Sequence, residues 1–435
     1  MKPLAIHSCQ QLQGIVRPPG DKSISHRAAI FAALAKGTTK IRNFLFSDDC
    51  LVTLKVLRFL GVQVFFRKDK NEVLIHSQGF LKPPPSSLWM GESGTSARIL
   101  MGVLAGQNFP SELKAASSLL KRPMRRVLEP LRGMGAVLEA TRRGREEYLP
   151  CKIFPAKLHA IQWAQKIPSA QVKSAILLAG LFAQGETSVF EATTSRDHTE
   201  RMLRFFKAHI KIQNKKIKIK RSILKSPGEI CVPGDISSAA FFIVAALLVK
   251  NSRLLIKNVG INPTRMGILK VLKRMGAHIK VSNRRDIYEP VADIEVKTSM
   301  LKATVIKAKE IPSLIDELPI LMVAAGLARG TTTIEGVQEL RIKETDRIRS
   351  MQYNLIKLGV NIRVKSLKKN EIIQIMGVRS FHGADLKSFG DHRTAMSMIV
   401  AALSAEGKCC LDDVSCISKS FPEFLTLLKT SSCIS

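Results

Sequence analysis

Aromatic residues are scarce in this chain: two Trp and three Tyr among 435 residues, 6% aromatic in all. Base-stacking platforms for single-stranded nucleic acid need such rings, and no recognisable nucleic-acid-binding motif is present. Long apolar runs are missing as well. The stretch AAFFIVAALLV at 239–249 is far short of the roughly 20 residues a bilayer crossing requires. The start, MKPLAIHSCQQLQG, has no signal-peptide apolar core, so a cytoplasmic protein is expected. Eight cysteines are scattered, and Cys409-Cys410 are adjacent rather than in CxxC spacing. They read as reduced, partly buried thiols, not as a disulfide framework or a zinc site.

Acidic residues are also few, 35 Asp and Glu against 68 Lys and Arg, for a net charge of +33. A field of that sign attracts phosphate backbones without sequence preference. The lysines, however, gather in alternating pieces such as KIQNKKIKIKR at 211–221, which fit exposed strand faces. A solvated basic surface that draws in small anionic substrates is the expected role. With 45% hydrophobic residues, the chain is long enough for two soluble domains.

What is present is a repeat. VRPPGDKSISHRAAIFAALAKGTTK at 16–40 places a Pro-Pro-Gly break, a charged and hydroxyl-rich opening, an Ala-rich helix and Gly37 as its stop. The helix-then-glycine pattern returns in TSARILMGVLAG (95–106), VKSAILLAGLFAQG (172–185), SSAAFFIVAALLVK (237–250), LPILMVAAGLARG (318–330) and RTAMSMIVAALSAEG (393–407). A second helical signature follows each of the first five: LRFLGV, LRGMGA, LRFFKA, LKRMGA and LIKLGV. The sixth is a degenerate FLTLLKT near the end. A unit of roughly 65–80 residues is too long for a solenoid and suits a β-α-β-α-β-β module. Six units make an α/β (α+β) protein of two pseudo-threefold domains. The sixth unit lacks closing strands, and the first 20 residues are left over to supply a missing one. Domain crossings are therefore expected near Gly20 and near Pro233-Gly234, giving domains of 21–232 and of 1–20 plus 233–435.

Polar groups cluster at helix starts and turns, where unpaired backbone N–H groups bind anions. MGESGTSAR at 90–98 is a glycine-flanked turn suited to a phosphate or carboxylate. KRPMRR at 121–126 packs four cations around a proline, and IDELP at 315–319 sets two acids before an apolar helix. RIKETDR at 341–347 opens a helix with the apolar stripe Ile348, Met351, Leu355 and Leu358, which leaves Lys343, Glu344 and Arg347 outward. Each of these also fits an ordinary capped or solvated helix start. Together, Lys22, Arg27, Arg122, Lys343, Arg347, Arg393 and Lys419 supply about the cations that two phosphorylated carboxylates need, each phosphate carrying roughly −1.5 to −2.

In order along essentially the whole chain, PGDKSISHR, MGESGTSAR, SLLKRPMRRVLEPL, PSAQVKSA, SRDHTERML, PGDISSAAF, IDELP, RIKETDRI, GDHR and SKSFPEF resemble the 5-enolpyruvylshikimate-3-phosphate synthases, the enolpyruvyl transferases of the shikimate pathway. The resemblance implies a two-domain, inside-out α/β barrel-like fold of six βαβαββ repeats, three per domain, with the active site in the interdomain cleft. It implies transfer of the enolpyruvyl group of phosphoenolpyruvate to the 5-hydroxyl of shikimate 3-phosphate, releasing phosphate, without metal, nucleotide or other cofactor. Shikimate 3-phosphate is then held by Lys22, Ser23, Arg27, Asp316 and Lys343, by Ser169, Ala170 and Gln171, and along its phosphate by Ser195 and Arg196. Phosphoenolpyruvate contacts Lys22, Gly94, Arg122, Gln171, Arg347 and Arg393, with Lys419 close by. Asp316 is the expected base toward the hydroxyl, with Glu344 and Lys22 handling the other protons. A monomer is expected, with two small-molecule substrates and no nucleic-acid or membrane partner.

One position departs from the family: Glu92 stands where asparagine is usual, beside the phosphoenolpyruvate loop. Gly94 keeps the small residue of a glyphosate-sensitive site. The UDP-N-acetylglucosamine enolpyruvyl transferases share fold and chemistry but carry a cysteine where 107–123 has none, and an asparagine where Ser23 follows Lys22.

Overall fold

The computed structural model describes residues 3–367 and 370–431. The chain forms two compact units, Gly20–Val232 and Met1–Pro19 with Pro233–Ser435.

The first repeat shows how each unit is made. Asp21 caps the helix Lys22–Leu34 by accepting the Ile24 N–H at 2.9 Å. Every residue from Ile24 to Leu34 is buried. A helix apolar on all sides has to lie inside, so the strands that follow wrap around it. Strand Ala35–Arg42 comes next, then the amphipathic helix Asp48–Phe59, then the hairpin Gln63–Arg67 with Glu72–Gln78. In the unit built on residues 233–435, the helices Ile236–Leu248, Leu318–Gly326 and His392–Leu403 pack pairwise against one another. In the other unit Gly94–Leu104 lies against both Lys22–Leu34 and Ala170–Gly180. The last contact depends on Gly102, where a Cβ would meet the Ala175 carbonyl oxygen at 2.1 Å.

The sheets of the first five repeats share one order: a parallel edge strand, the strand after the central helix, then the hairpin. Leu88–Trp89, Ser111–Lys114, Glu146–Phe154 and Val137–Arg143 are one example. The edge strand is lent by the preceding repeat. In the unit Gly20–Val232 the last repeat lends Leu224–Lys225 and Glu229–Cys231 to Ala35–Arg42 of the first, which closes a ring of three sheets. The basic piece at 211–221 is a hairpin, Ile210–Gln213 with Lys216–Lys220. Its turn residues Asn214 and Lys215 have φ of 48° and 63°, a two-residue turn that matches strand twist.

The chain start completes the other ring with two strands rather than one. Gln13–Val16 is the parallel edge of Arg253–Gly260 in the fourth repeat. Leu4–Ile6 pairs antiparallel with Cys409–Leu411 in the sixth, the place a hairpin strand takes elsewhere. The sixth repeat ends on the helix Phe424–Ser431.

Two expectations are corrected. The central helices stop before their glycines: the first ends at Leu34, and Gly37, at φ 114°, lies inside the next strand. The buried helix runs straight into extended backbone, so the glycine serves the strand entry rather than the helix cap. Arg347 is not outward. It is 1% exposed at the start of the helix Arg347–Lys357, for the electrostatic reason given below. The stripe Ile348, Met351, Leu355 and Leu358 is buried as expected.

Among the described residues no helix is long and apolar enough to cross a membrane, and no group of His, Cys, Asp or Glu is placed to hold a metal. None of the seven described cysteines is in a disulfide. Burial pushes Cys50 and Cys151 up to about 12, so both stay protonated and unreactive.

Candidate active site

In the unit Gly20–Val232, Lys22 is the first residue of its helix and is ion-paired with Asp49 at the start of the helix Asp48–Phe59. Ser23 follows it, and its carbonyl accepts Arg27 Nη1 at 3.0 Å. Arg27 is 2% exposed and ties three helices together. Its Nε donates to Thr199 Oγ1 at 2.7 Å and its Nη2 to Ser174 Oγ at 2.8 Å. His26 lies beside it, fully buried, with Nδ1 2.7 Å from Thr53 Oγ1. Thr53, Ser96 and Ser93 continue this hydroxyl chain at 2.7 Å each, ending on the cap of the helix Gly94–Leu104.

Gly94 sits under two guanidinium groups. A Cβ there would lie 2.9 Å from Arg98 Nη1 and 3.1 Å from Arg122 Nη1. Gln171 joins this group by accepting Arg98 Nη1 and donating to Thr95 Oγ1, both at 2.9 Å. One turn of helix start thus gathers Gly94, Arg122 and Gln171. Arg98 binds them together, and the only mark it carries in the sequence is its place in the first turn after the glycine.

Ser169 caps the helix Ala170–Gly180, accepting the Val172 N–H at 3.4 Å, and the Ala170 carbonyl accepts the Ser174 hydroxyl. Ser195 donates its hydroxyl to Glu191, and Arg196 follows it, half-buried. Lys173, fully buried, bridges Glu191 at 2.7 Å and Glu200 at 2.6 Å. None of these three was singled out from the sequence, because ion pairing among them is not visible in it.

The unit built on residues 233–435 carries the second cluster. Asp316 Oδ1 is 3.9 Å from Lys343 Nζ and 3.6 Å from Arg347 Nη1, and its Oδ2 is 3.9 Å from Arg393 Nη2. Arg393 Nη1 also donates to the Asp316 carbonyl at 2.9 Å. Arg347 donates to Asp391 at 2.8 Å and to Glu344 at 2.6 Å. Burial opposes charge on Arg347, but Asp391, Glu344 and Asp316 outweigh it and hold the guanidinium above its ordinary value. That is why this arginine can be buried. Burial likewise opposes charge on Asp391, and Arg347 with His392 outweighs it, holding the carboxyl below its ordinary range. Asp391 also caps the helix His392–Leu403 through the Arg393 N–H at 2.7 Å.

The structure therefore brings Asp316, Lys343, Glu344, Arg347 and Arg393 together. Lys419 ends the short helix Ser415–Lys419, which packs on His392–Leu403. Glu92 accepts the Ser118 hydroxyl at 2.8 Å. Such a set of cations, helix starts and two or three carboxylates can hold multiply charged anions and move protons beside them.

A family model described as EPSP synthase (3-phosphoshikimate 1-carboxyvinyltransferase) matches residues 6–428. A 3-phosphoshikimate 1-carboxyvinyltransferase of Geobacter sp. (strain M21) is 48% identical over 431 residues, 98% of this chain and 99% of the relative. One from Petrotoga mobilis is 48% identical over 418 residues, 94% of this chain and 95% of the relative. The solved EPSP synthase of Acinetobacter baumannii superposes with a TM-score of 0.87 at 41% identity, covering 99% of this chain and 98% of that one. The enolpyruvyl transferase NikO from Streptomyces tendae gives 0.80 at 18% identity over 99% and 97%, a likeness of fold.

Proposed function

Since this chain belongs to the EPSP synthase family and transfers the enolpyruvyl group of phosphoenolpyruvate to shikimate 3-phosphate, we propose which of its side chains do each part of the reaction. Residues of 21–232 and residues of 233–435 both contribute to holding the substrates. Shikimate 3-phosphate is held by Lys22, Ser23, Arg27, Asp316 and Lys343. Its remaining contacts come from the helix start Ser169-Ala170-Gln171 and from Arg196, with Ser195 beside it in the turn that lies along the phosphate. Phosphoenolpyruvate is held by Lys22, Arg122, Arg347 and Arg393 over Gly94 and Gln171, with Lys419 beside it.

The observation that carries this is the setting of Asp316, one carboxylate with three cations inside 4 Å. Before the anions bind, Asp316 and Glu344 offset the charge of Lys343, Arg347 and Arg393. When they bind, the cations turn to phosphate and carboxylate, and Asp316 is released toward the 5-hydroxyl. The hydroxyl oxygen bonds to C2 of phosphoenolpyruvate and gives its proton to Asp316, while C3 takes a proton from Glu344 or Lys22. The group that protonated C3 then takes a proton back from C3 of the tetrahedral adduct as the bond from C2 to the phosphate oxygen breaks. Phosphate leaves, and the fixed cations hold the charge that develops.

The test is phosphate release from phosphoenolpyruvate with and without shikimate 3-phosphate. Release that needs both supports the reading; none, or release independent of the second substrate, overturns it. The protein acts as a cytoplasmic monomer without nucleic-acid or membrane partners. Salt-sensitive retention on DNA at physiological ionic strength would contradict that part.

A further inference from the structure

Ser195 has two hydrogen-bond donors, and both are taken by one acid. Its hydroxyl donates to Glu191 Oε1 and its backbone N–H to Oε2 at 3.4 Å. The same carboxylate accepts Lys173 Nζ at 2.7 Å and Gln165 Nε2 at 3.3 Å. Gln165 Nε2 also donates to the carbonyl of Ser169 at 3.1 Å. Lys173, Glu191 and Glu200 are 0%, 2% and 2% exposed, so little water competes for these bonds.

The three charges come from three elements: the helix Ala170–Gly180, the end of the strand Glu186–Glu191 and the helix His198–Phe205. A second layer joins the same two helices one residue along, where Ser174 and Thr199 share a hydrogen bond at 2.6 Å and both receive Arg27. Burying a lysine with two carboxylates costs more than filling the space with apolar side chains. What the cluster adds is a fixed geometry.

We propose that Glu191 is a positioning residue for the shikimate 3-phosphate end of the site. It fixes the turn Ser195-Arg196 directly and the Ser169 helix start through Gln165, so that a phosphate meets donors already in place. Ser195 then acts through Glu191 rather than as a phosphate donor of its own. This rests on the roles given above to Ser169 and Arg196. Four donors converge on the carboxylate, and an amide of the same shape has one acceptor oxygen instead of two. Glu191→Gln must therefore leave at least one of them unserved.

The experiment measures kcat, both KM values and the thermal midpoint for the full-length wild type, Glu191→Gln, Ser195→Ala, the double variant, Gln165→Leu and Arg196→Ala. Glu191→Gln is expected to raise the KM for shikimate 3-phosphate about tenfold, with kcat and the phosphoenolpyruvate KM within about twofold. The double variant is expected to be no worse than Glu191→Gln, because both act through one contact. A lowered midpoint with an unmoved KM would reduce Glu191 to a structural role and overturn the proposal, as would additive effects in the double variant. Should Glu191→Gln not fold, Ser195→Ala and Gln165→Leu decide: unchanged shikimate 3-phosphate KM in both overturns it. Arg196→Ala reads the underlying role separately, since an unmoved KM there refutes the phosphate contact whatever Glu191 does.

Discussion

Arg347 donates its Nε–H to Asp391 across 2.8 Å, with side chains 1% and 0% exposed. Asp391 also caps the helix that begins with His392-Arg393, so one acid sets two of the cations assigned to phosphoenolpyruvate. Asp391→Asn keeps an acceptor oxygen for the cap but removes the buried countercharge. Breaking such a pair costs about 3–5 kcal/mol. The variant is expected to lose stability by that order and to raise the phosphoenolpyruvate KM more than the shikimate 3-phosphate KM. Denaturant unfolding and steady-state kinetics check both, and a stable variant with unchanged KM values would disprove the coupling.

That pair also marks the limit of what the sequence could convey. Repeat count, helix identity and the buried stripe Ile348, Met351, Leu355 and Leu358 are legible because periodicity is local. Arg347 was expected to face solvent, since an arginine on a first helical turn normally does. What buries it is the company of Asp316, Glu344 and Asp391, two of which come from distant segments. The buried Lys173 with Glu191 and Glu200 was hidden for the same reason. The candidate residues themselves were legible through whole-chain resemblance, because glycine-flanked cations alone fit capped helix starts equally well.

Glu92 stands in the turn that leads to Gly94, and its carboxylate accepts the Ser118 hydroxyl. A negative charge there repels a multiply charged anion. Glu92→Asn is expected to lower the phosphoenolpyruvate KM about fivefold, on the order of 1 kcal/mol for a partly exposed charge. The difference between the two proteins should shrink as salt is raised. Equal Michaelis constants at low ionic strength would refute the idea.

His26 gives a pH-dependent term. Burial, then the charges of Lys22 and Arg27, lowers its folded-state value well below 6.5. The unfolded chain therefore binds a proton more readily than the folded one below about pH 6.5, and stability falls as pH drops through that point. His26→Asn offers Thr53 a hydrogen-bonding group without titrating, so its midpoint is expected to fall less than that of wild type between pH 7 and pH 5. Parallel declines in the two proteins would remove His26 as the cause.

Asp316 and Glu344 both lie against Arg347, yet they are asked to do opposite things, one taking a proton and the other giving one. Neutralising either leaves the cations with less countercharge, so neither change should weaken phosphoenolpyruvate binding. Asp316→Asn is expected to lower kcat by about 10²–10⁴, the usual contribution of a positioned base, with the phosphoenolpyruvate KM unchanged or lower. Glu344→Gln is expected to reduce kcat as well, but to slow exchange of solvent deuterium into C3 of phosphoenolpyruvate more than Asp316→Asn does. The comparison is decisive because a purely electrostatic role would affect binding first. If either variant kept its kcat and changed only affinity, that carboxylate would be a counter-ion for the arginines and the proton would have to travel by another group.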